Sequence, residues 1–424
     1  MHGEKRLKIL FIPAWYPSEI NPIGGITTKE HARAASVYDD IVVLYAFPDP
    51  SHMLHKLYQR SEDTEDGIRI IRVKYREYEG ILAYLREAVF REKETKPAPS
   101  FSTTNKLTGM LKKLSRIPTV VIRDTLYYWG IFTAFRRLVK EGWKPDIIHA
   151  HVFLAGVPAI ILGKLYRIPV IITERYSIFP LRELSLSYRV KARFAMRRAQ
   201  MILPVSNALK EAIEAYDVDN KFQVVPNTIN AEIFYSSFHR NQSGNKKRIL
   251  MVGNLVSIKG ICYLLQALAQ IKRKREDFVL DIVGDGAKRV EYEELAKELE
   301  LGDAVHFHGY KLKEEVSEFM RACQFLVLPS LCETFGAVII EALATGKPVV
   351  ASDVGGIKEI INEDLGILVP PGDVTELQRG IEFMLDNYVN YSPQKLSAHA
   401  KGKFAYESVG QLLHTIYQKV NQRR

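Results

Sequence analysis

"PSLCETFGAVIIEALATGKPVVAS" (residues 329–352) brings three secondary structures together in one stretch. The apolar run FLVL leads up to Pro329, a polar loop carries Glu333 and Gly336, and the helical run AVIIEALA follows. Gly346 and Pro348 then break the helix, and VVAS resumes as a strand. Strand, helix and strand in that order predict a parallel βαβ unit, because parallel neighbours need a crossover long enough to hold a helix. The same stretch poses a chemical question. Glu341 stands inside the apolar run, eight positions after Glu333. A buried, ionised carboxylate costs several kcal/mol unless it is paired or hydrogen-bonded. Either the protein satisfies Glu341, or a ligand rich in hydroxyls or positive charge does.

Working outward, the pattern repeats. LKILFI (7–12), DIVVLYAF (40–47), IRIIRV (68–73), DIIHAH (146–151), PVIIT (169–173), MILPVS (201–206) and FQVVPN (222–227) read as strands. Segments of helical period, such as TKEHARAASVY and NALKEAIEAY, lie between several of them. A polar stretch at 236–247 reads as a linker, after which RILMVG, FVLDIVG, AVHFHG, QFLVLPS, PVVAS and GILVP repeat the alternation. The expected architecture is α/β, with two doubly wound Rossmann-like domains at 1–235 and 246–400. The amphipathic end, 401–424, places Val409, Leu412, Leu413, Ile416 and Val420 on one face and is expected to cross back to the first domain. Residues from about 76 to 140 read as a basic, partly mobile insertion.

Composition narrows the class. At 424 residues the chain is too long for one ordinary core, and 47% hydrophobic with 25% charged residues is globular usage. Three cysteines without a CxxC pair suggest neither a disulfide framework nor a zinc site, and favour a reducing cytoplasm. The N-terminal apolar run is cut by Pro13, which reads as a first strand and not a signal peptide. HVFLAGVPAIILG falls short of the roughly 20 apolar residues a membrane span requires. The net charge of +10 is uneven. From Arg72 to Lys144 basic residues outnumber acidic ones 16 to 7, and from Arg182 to Arg198 by 6 to 1. Such blocks suit an anionic membrane or acidic partner, or are simply solvated helix faces. They carry no nucleic-acid motif.

In open parallel sheets, ligands bind beyond the carboxyl ends of the strands, so chemistry is expected in the loops there. Lys259 lies in the loop after MVG, where a helix N-terminus would help it hold a phosphate, although no P-loop pattern is present. Gly284, Asp285 and Gly286 form a short turn without the third glycine of a dinucleotide fingerprint. Asp217-Val218-Asp219 matches a minimal metal motif but sits in a polar connection, and is set aside. In the opening stretch, the first turn near Phe335 and Gly336 presents amides suited to a diphosphate. Glu341 lies on the same side, where it could accept hydrogen bonds from a ribose diol. The plainer alternatives are a helix-capping role for Glu333 and an internal salt bridge for Glu341.

Together these runs resemble the retaining glycosyltransferases of the GT-B fold, in the large glycosyltransferase family 4 (group 1). The family's E-x7-E motif matches Glu333 and Glu341, and its PS…E.FG…EA.A.G.PVVAS..GG run ends here at Gly355 and Gly356. NPIGGITTKEHA, DIIHAH, VVPNTINAEIF and GILVPPGD match other family elements, so the resemblance covers most of the chain outside roughly 76–140. It implies two Rossmann-like domains facing across a cleft and transfer of a hexosyl unit from a nucleoside-diphosphate sugar, UDP- or GDP-linked, to a sugar or lipid-linked acceptor. It implies no metal and no cofactor.

Carried over by position, Glu341 would bind the donor ribose and Glu333 the transferred sugar. Lys259, Gly25 and the amides at Phe335 and Gly336 would hold the diphosphate. His151 would lie beside the reacting centre, and the backbone at Tyr310 would face the base. Two residues depart from the family. Asn254 replaces the arginine that usually joins Lys259 at the diphosphate, and Arg175 replaces the usual histidine after "TE". Arg175 is expected on the acceptor side. The rival readings are a nucleotide-sugar epimerase of similar fold and a non-catalytic nucleotide-sugar binder. The expected location is cytoplasmic, with the basic blocks bringing the protein to the inner face of a membrane.

Overall fold

The structure is a computed structural model and describes residues 6–49, 57–76, 119–236 and 246–422. Most of the basic insertion (77–118) and of the linker (237–245) lies outside the described residues.

The first half builds a seven-stranded sheet from β1 (Lys8–Pro13), β2 (Asp40–Asp49), β3 (Tyr58–Glu65), β4 (Ile68–Arg76), β5 (Ile147–His151), β6 (Val170–Glu174) and β7 (Met201–Pro204). Its spatial order is β3-β4-β2-β1-β5-β6-β7. The second half builds a six-stranded sheet from β8 (Lys247–Val252), β9 (Phe278–Val283), β10 (Val305–Phe307), β11 (Phe325–Leu328), β12 (Val349–Ser352) and β13 (Gly366–Val369). Its order, β10-β9-β8-β11-β12-β13, has parallel pairing throughout. Both are doubly wound sheets whose strand order reverses at a switch point, between β1 and β5 in the first and between β8 and β11 in the second. The central strands are buried on both faces, as parallel sheets with helices on each side require.

Two strand assignments change. β3, YQRSEDTE, is absent from the sequence reading because it has no apolar alternation. It is an antiparallel edge strand held to β4 by its backbone ladder and by cross-strand ion pairs, Arg69 to Glu62 and Arg72 to Asp63 and Glu65. Conversely, residues 222–227 form only a single bridge, Phe222 to Ile202, along the edge of β7. Pro226 has no amide with which to continue a ladder.

The C-terminal end is two helices. Pro393–Phe404 packs on the second domain, where Ser397 Oγ donates to the Ala344 carbonyl at 2.8 Å. The chain turns at Ala405, and the Ile229 amide donates to the Phe404 carbonyl at 2.8 Å. Tyr406–Asn421 then lies on the first domain, burying Val409, Leu413, Ile416, Tyr417 and Val420 against one face of its sheet. The turn at Ala405 therefore marks the crossing, and position 401 falls within a helix.

Candidate active site

Two contiguous cavity lobes, each of about 410 Å³, lie between the carboxyl ends of the two sheets. Arg175, Asn254, Lys259 and Glu333 line both of them. All four follow a strand directly or within a short loop, as the topology demands.

From the first domain, β5 delivers His151 and β6 delivers Arg175. His151 is fully buried, and Arg175 Nη2 donates to its Nδ1 at 3.3 Å. The ring proton therefore sits on Nε2, which has no partner among the described residues. Burial, with neighbouring His149 and Arg175, holds the imidazole well below its ordinary pKa, so it is neutral. The next residue, Val152, has φ 72°, an unusual conformation for a β-branched side chain. It is held there by its amide bonding to the Thr173 carbonyl at 2.8 Å. Glu174 secures the adjoining turn by accepting the amides of Phe153, Arg175 and Tyr176, each at 2.9 Å. With Glu174 so occupied, the half-buried Arg175 has no hydrogen-bond partner for its Nε and Nη1 among the described residues, and desolvation lowers its pKa to about 10. Neither Val152 nor Glu174 stands out in the sequence.

Gly25 closes the loop after β1 and starts the helix Ile26–Ser36 at φ 72°. A Cβ there would lie 2.1 Å from the Trp15 carbonyl oxygen, so only glycine fits. It lines the first lobe with Thr27 and Thr28.

From the second domain, a turn after β8 carries Lys259, and the loop after β11 carries Glu333. Lys259 Nζ pairs directly with Glu333 Oε1, which also accepts from Ser330 Oγ at 3.1 Å. The helix after this loop spans Ala337–Ala344, starting from Gly336 at φ 88°, a little later than expected. Phe335 is buried against Phe404, while its backbone and Gly336 line the second lobe.

Glu341 and Tyr310 line neither lobe. Tyr310 is exposed on the surface. Glu341 instead faces Lys313, with Nζ 3.9 Å from its Oε1. Lys313 is shared, and its closer partner is Glu30 of the first domain at 2.9 Å. The internal ion pair thus exists but is long, and desolvation still pushes Glu341 up to about 7. Folded Glu341 keeps a proton between pH 4.5 and 7 that the unfolded chain releases. Its contribution to stability is full below about 4.5 and is lost as the pH rises toward 7, on the order of 3 kcal/mol in all. Glu341→Gln should flatten this part of the stability–pH curve, which chemical denaturation at several pH values measures. Asp217 of the DVD triplet is tied to Arg193 on another face.

The sequence and fold were compared with known proteins. Residues 89–233 match the family model described as Glycosyltransferase Family 4, and residues 236–403 that of Glycosyl transferases group 1. Glycogen synthase of Mycobacterium tuberculosis is 26% identical over 400 residues, covering 90% of this chain and 86% of that protein. An uncharacterized glycosyltransferase of Methanocaldococcus jannaschii, MJ1178, is 31% identical over 251 residues, 59% of this chain and 68% of the relative. Among solved structures, sucrose-phosphate synthase from Thermosynechococcus elongatus superposes with a TM-score of 0.71 at 22% identity, covering 99% of this chain and 100% of that one. HepE of Anabaena, solved with UDP and glucose, superposes at 0.67 with 21% identity, covering 98% and 100%. The architecture is therefore GT-B. The chain belongs to the group 1 glycosyltransferases, of the family 4 type.

Proposed function

We propose that the protein transfers a hexosyl unit from a nucleoside-diphosphate sugar to a hydroxyl acceptor with retention of anomeric configuration and without a metal, in polysaccharide or glycolipid synthesis. The observation that carries this reading is the cleft itself, where His151 and Arg175 of one sheet face Asn254, Lys259 and Glu333 of the other. A departing nucleoside diphosphate builds negative charge, which Lys259, the amides at Phe335 and Gly336, and Gly25 can stabilise. Glu333 would accept from hydroxyls of the transferred sugar, and the Nε2–H of neutral His151 would donate to the same unit near the reacting carbon. Arg175 adds an uncompensated cation on the acceptor side. Ribose binding by Glu341 requires it to exchange Lys313 for the diol, and Tyr310 would meet the base through its backbone.

The test is thermal stabilisation by UDP, GDP, ADP, CMP and NAD, with UDP first because the relative HepE was solved with it. A ligand at about 100 times its dissociation constant adds about 2.7 kcal/mol. One nucleoside diphosphate should stabilise the wild type and lose its effect in Glu341→Ala. No response to any of them would remove the donor site from the reading.

A peripheral membrane location is supported by two adjoining helices, Thr119–Lys140 and Leu186–Met196, joined by the Lys191–Asp124 pair. They expose Trp129, Leu186 and Val190 amid arginines. Among the described residues no helix is long and apolar enough to cross a membrane. Co-sedimentation with vesicles containing phosphatidylserine should occur at low salt and fall as salt rises. Absent or salt-independent binding would refute the location.

A further inference from the structure

The loop that carries Glu333 is held by the other domain. Ser206, at the end of β7, is 2% exposed, and its Oγ donates to the Thr334 carbonyl at 2.7 Å. The same oxygen accepts the Leu209 amide at 3.1 Å and so caps the helix Asn207–Glu214. At the rim of this contact Glu359, from the second domain, accepts the amides of Asn207 and Ala208 at 2.9 and 2.8 Å, and Asn207 Nδ2 at 2.9 Å. A carboxylate from one domain thus covers the positive end of a helix in the other.

Gly355 and Gly356 support the loop from beneath. A Cβ on Gly355 would lie 1.8 Å from the Glu333 carbonyl oxygen, and one on Gly356 would lie 2.5 Å from that of Thr334 and 2.9 Å from Ser206 Cβ. The backbone of Glu333 and Thr334 is therefore clamped between the diglycine of its own domain and the hydroxyl of the opposite one.

We infer that Ser206, with Glu359 closing the same clasp, is a positioning residue for Glu333, so that the loop takes its working geometry only when the two domains are docked. The role of Glu333 in this inference rests on the proposed transfer reaction. Docking then does more than exclude water. It sets the direction in which the Glu333 carboxylate leaves the loop, and so joins closure of the cleft to recognition of the transferred sugar.

The experiment uses the full chain and the nucleoside-diphosphate sugar whose nucleotide stabilises the wild type. Ser206→Ala removes both the cap and the donor, whereas Ser206→Asp retains a capping oxygen but cannot donate to Thr334. Both should lower kcat/KM for the donor sugar by about tenfold, while the dissociation constant of the nucleoside diphosphate stays within about twofold. Glu359→Ala should act in the same direction but more weakly. Because the effect passes through Glu333, Ser206→Ala added to Glu333→Gln should cost nothing further. Hydrogen exchange of the amides from Ser330 to Ile340 should quicken in both Ser206 variants.

Additive losses, or an active Ser206→Asp enzyme, would reduce Ser206 to a helix cap and overturn the inference. If the wild type transfers no sugar, the proposed reaction fails, and loop exchange decides the clasp by itself. Unchanged exchange would overturn it, and faster exchange would uphold the mechanical link.

Discussion

Lys259→Met should reduce sugar transfer by about two to three orders of magnitude, the loss typical of removing one group that meets charge in a transition state. Among the described residues, Lys259 is the only cation that the second domain contributes to the lining of either lobe. In this structure its ammonium pairs with Glu333, so one change has two consequences. The leaving diphosphate loses a counter-charge. Glu333 is left with Ser330 as its sole remaining polar contact among those described. Affinity for the nucleoside diphosphate should fall at least about tenfold, while the folded state survives because the pair is partly solvated. Lys259→Arg should recover part of the loss, since the charge is kept but the fork is longer and planar. Steady-state kinetics and calorimetric titration of the nucleotide measure both effects. Unchanged nucleotide affinity in Lys259→Met would remove this lysine from the phosphate site.

Gly25→Ala should damage folding and transfer together. The residue is left-handed at φ 72°, which costs any L-residue with a side chain about 1–2 kcal/mol. The added Cβ would also overlap the Trp15 carbonyl at 2.1 Å and the Tyr16 amide nitrogen at 2.7 Å. These are backbone atoms and cannot rotate away. The first turn of Ile26–Ser36 has to shift, and Thr27 and Thr28 move with it along the wall of the first lobe. A stability loss of about 2 kcal/mol or more and a further drop in transfer should appear together. Gly67→Ala provides the comparison, because its φ is 75° but no atom lies within 4 Å of the added Cβ. That variant should lose only the conformational part of the stability and keep full transfer.

How much of this was legible depended on the kind of force involved. Apolar runs bounded by Gly and Pro placed the parallel strands, because burial on both faces leaves a continuous hydrophobic record. β3 left none, since an edge strand is held by its ladder and by charges that resemble any solvated segment. Lys259 and Glu333 were readable from their positions in loops after strands, His151 and Asn254 from the family resemblance, and the structure gathers all four around one cleft. The oddity of Glu341 was legible too. Its partner was not, because Lys313 reaches it through the packing of the helix Lys313–Ala322, which no local spacing encodes. Val152 reads as an ordinary strand-end residue and betrays nothing of its positive φ. Arg175 stood out by identity, but that its Nε and Nη1 find no partner among the described residues goes with Glu174 being consumed by three amides, a fact of three-dimensional geometry.

The returning helix Tyr406–Asn421 also has a bearing on how the protein is made. The ribosome delivers all seven strands of the first sheet before the second domain begins, and domains ordinarily fold as they emerge. This one cannot finish. The face formed by Ile9, Phe11, Val43 and Ile147 is covered in part by Ala32 and Ala35 and is completed by Leu413, Ile416 and Tyr417, and His149 awaits the Tyr417 hydroxyl that bonds to it at 2.8 Å. The nascent first domain therefore leaves part of this face uncovered while the whole second domain is translated. The returning helix seals a sheet whose seven strands precede it in the chain by the whole second domain.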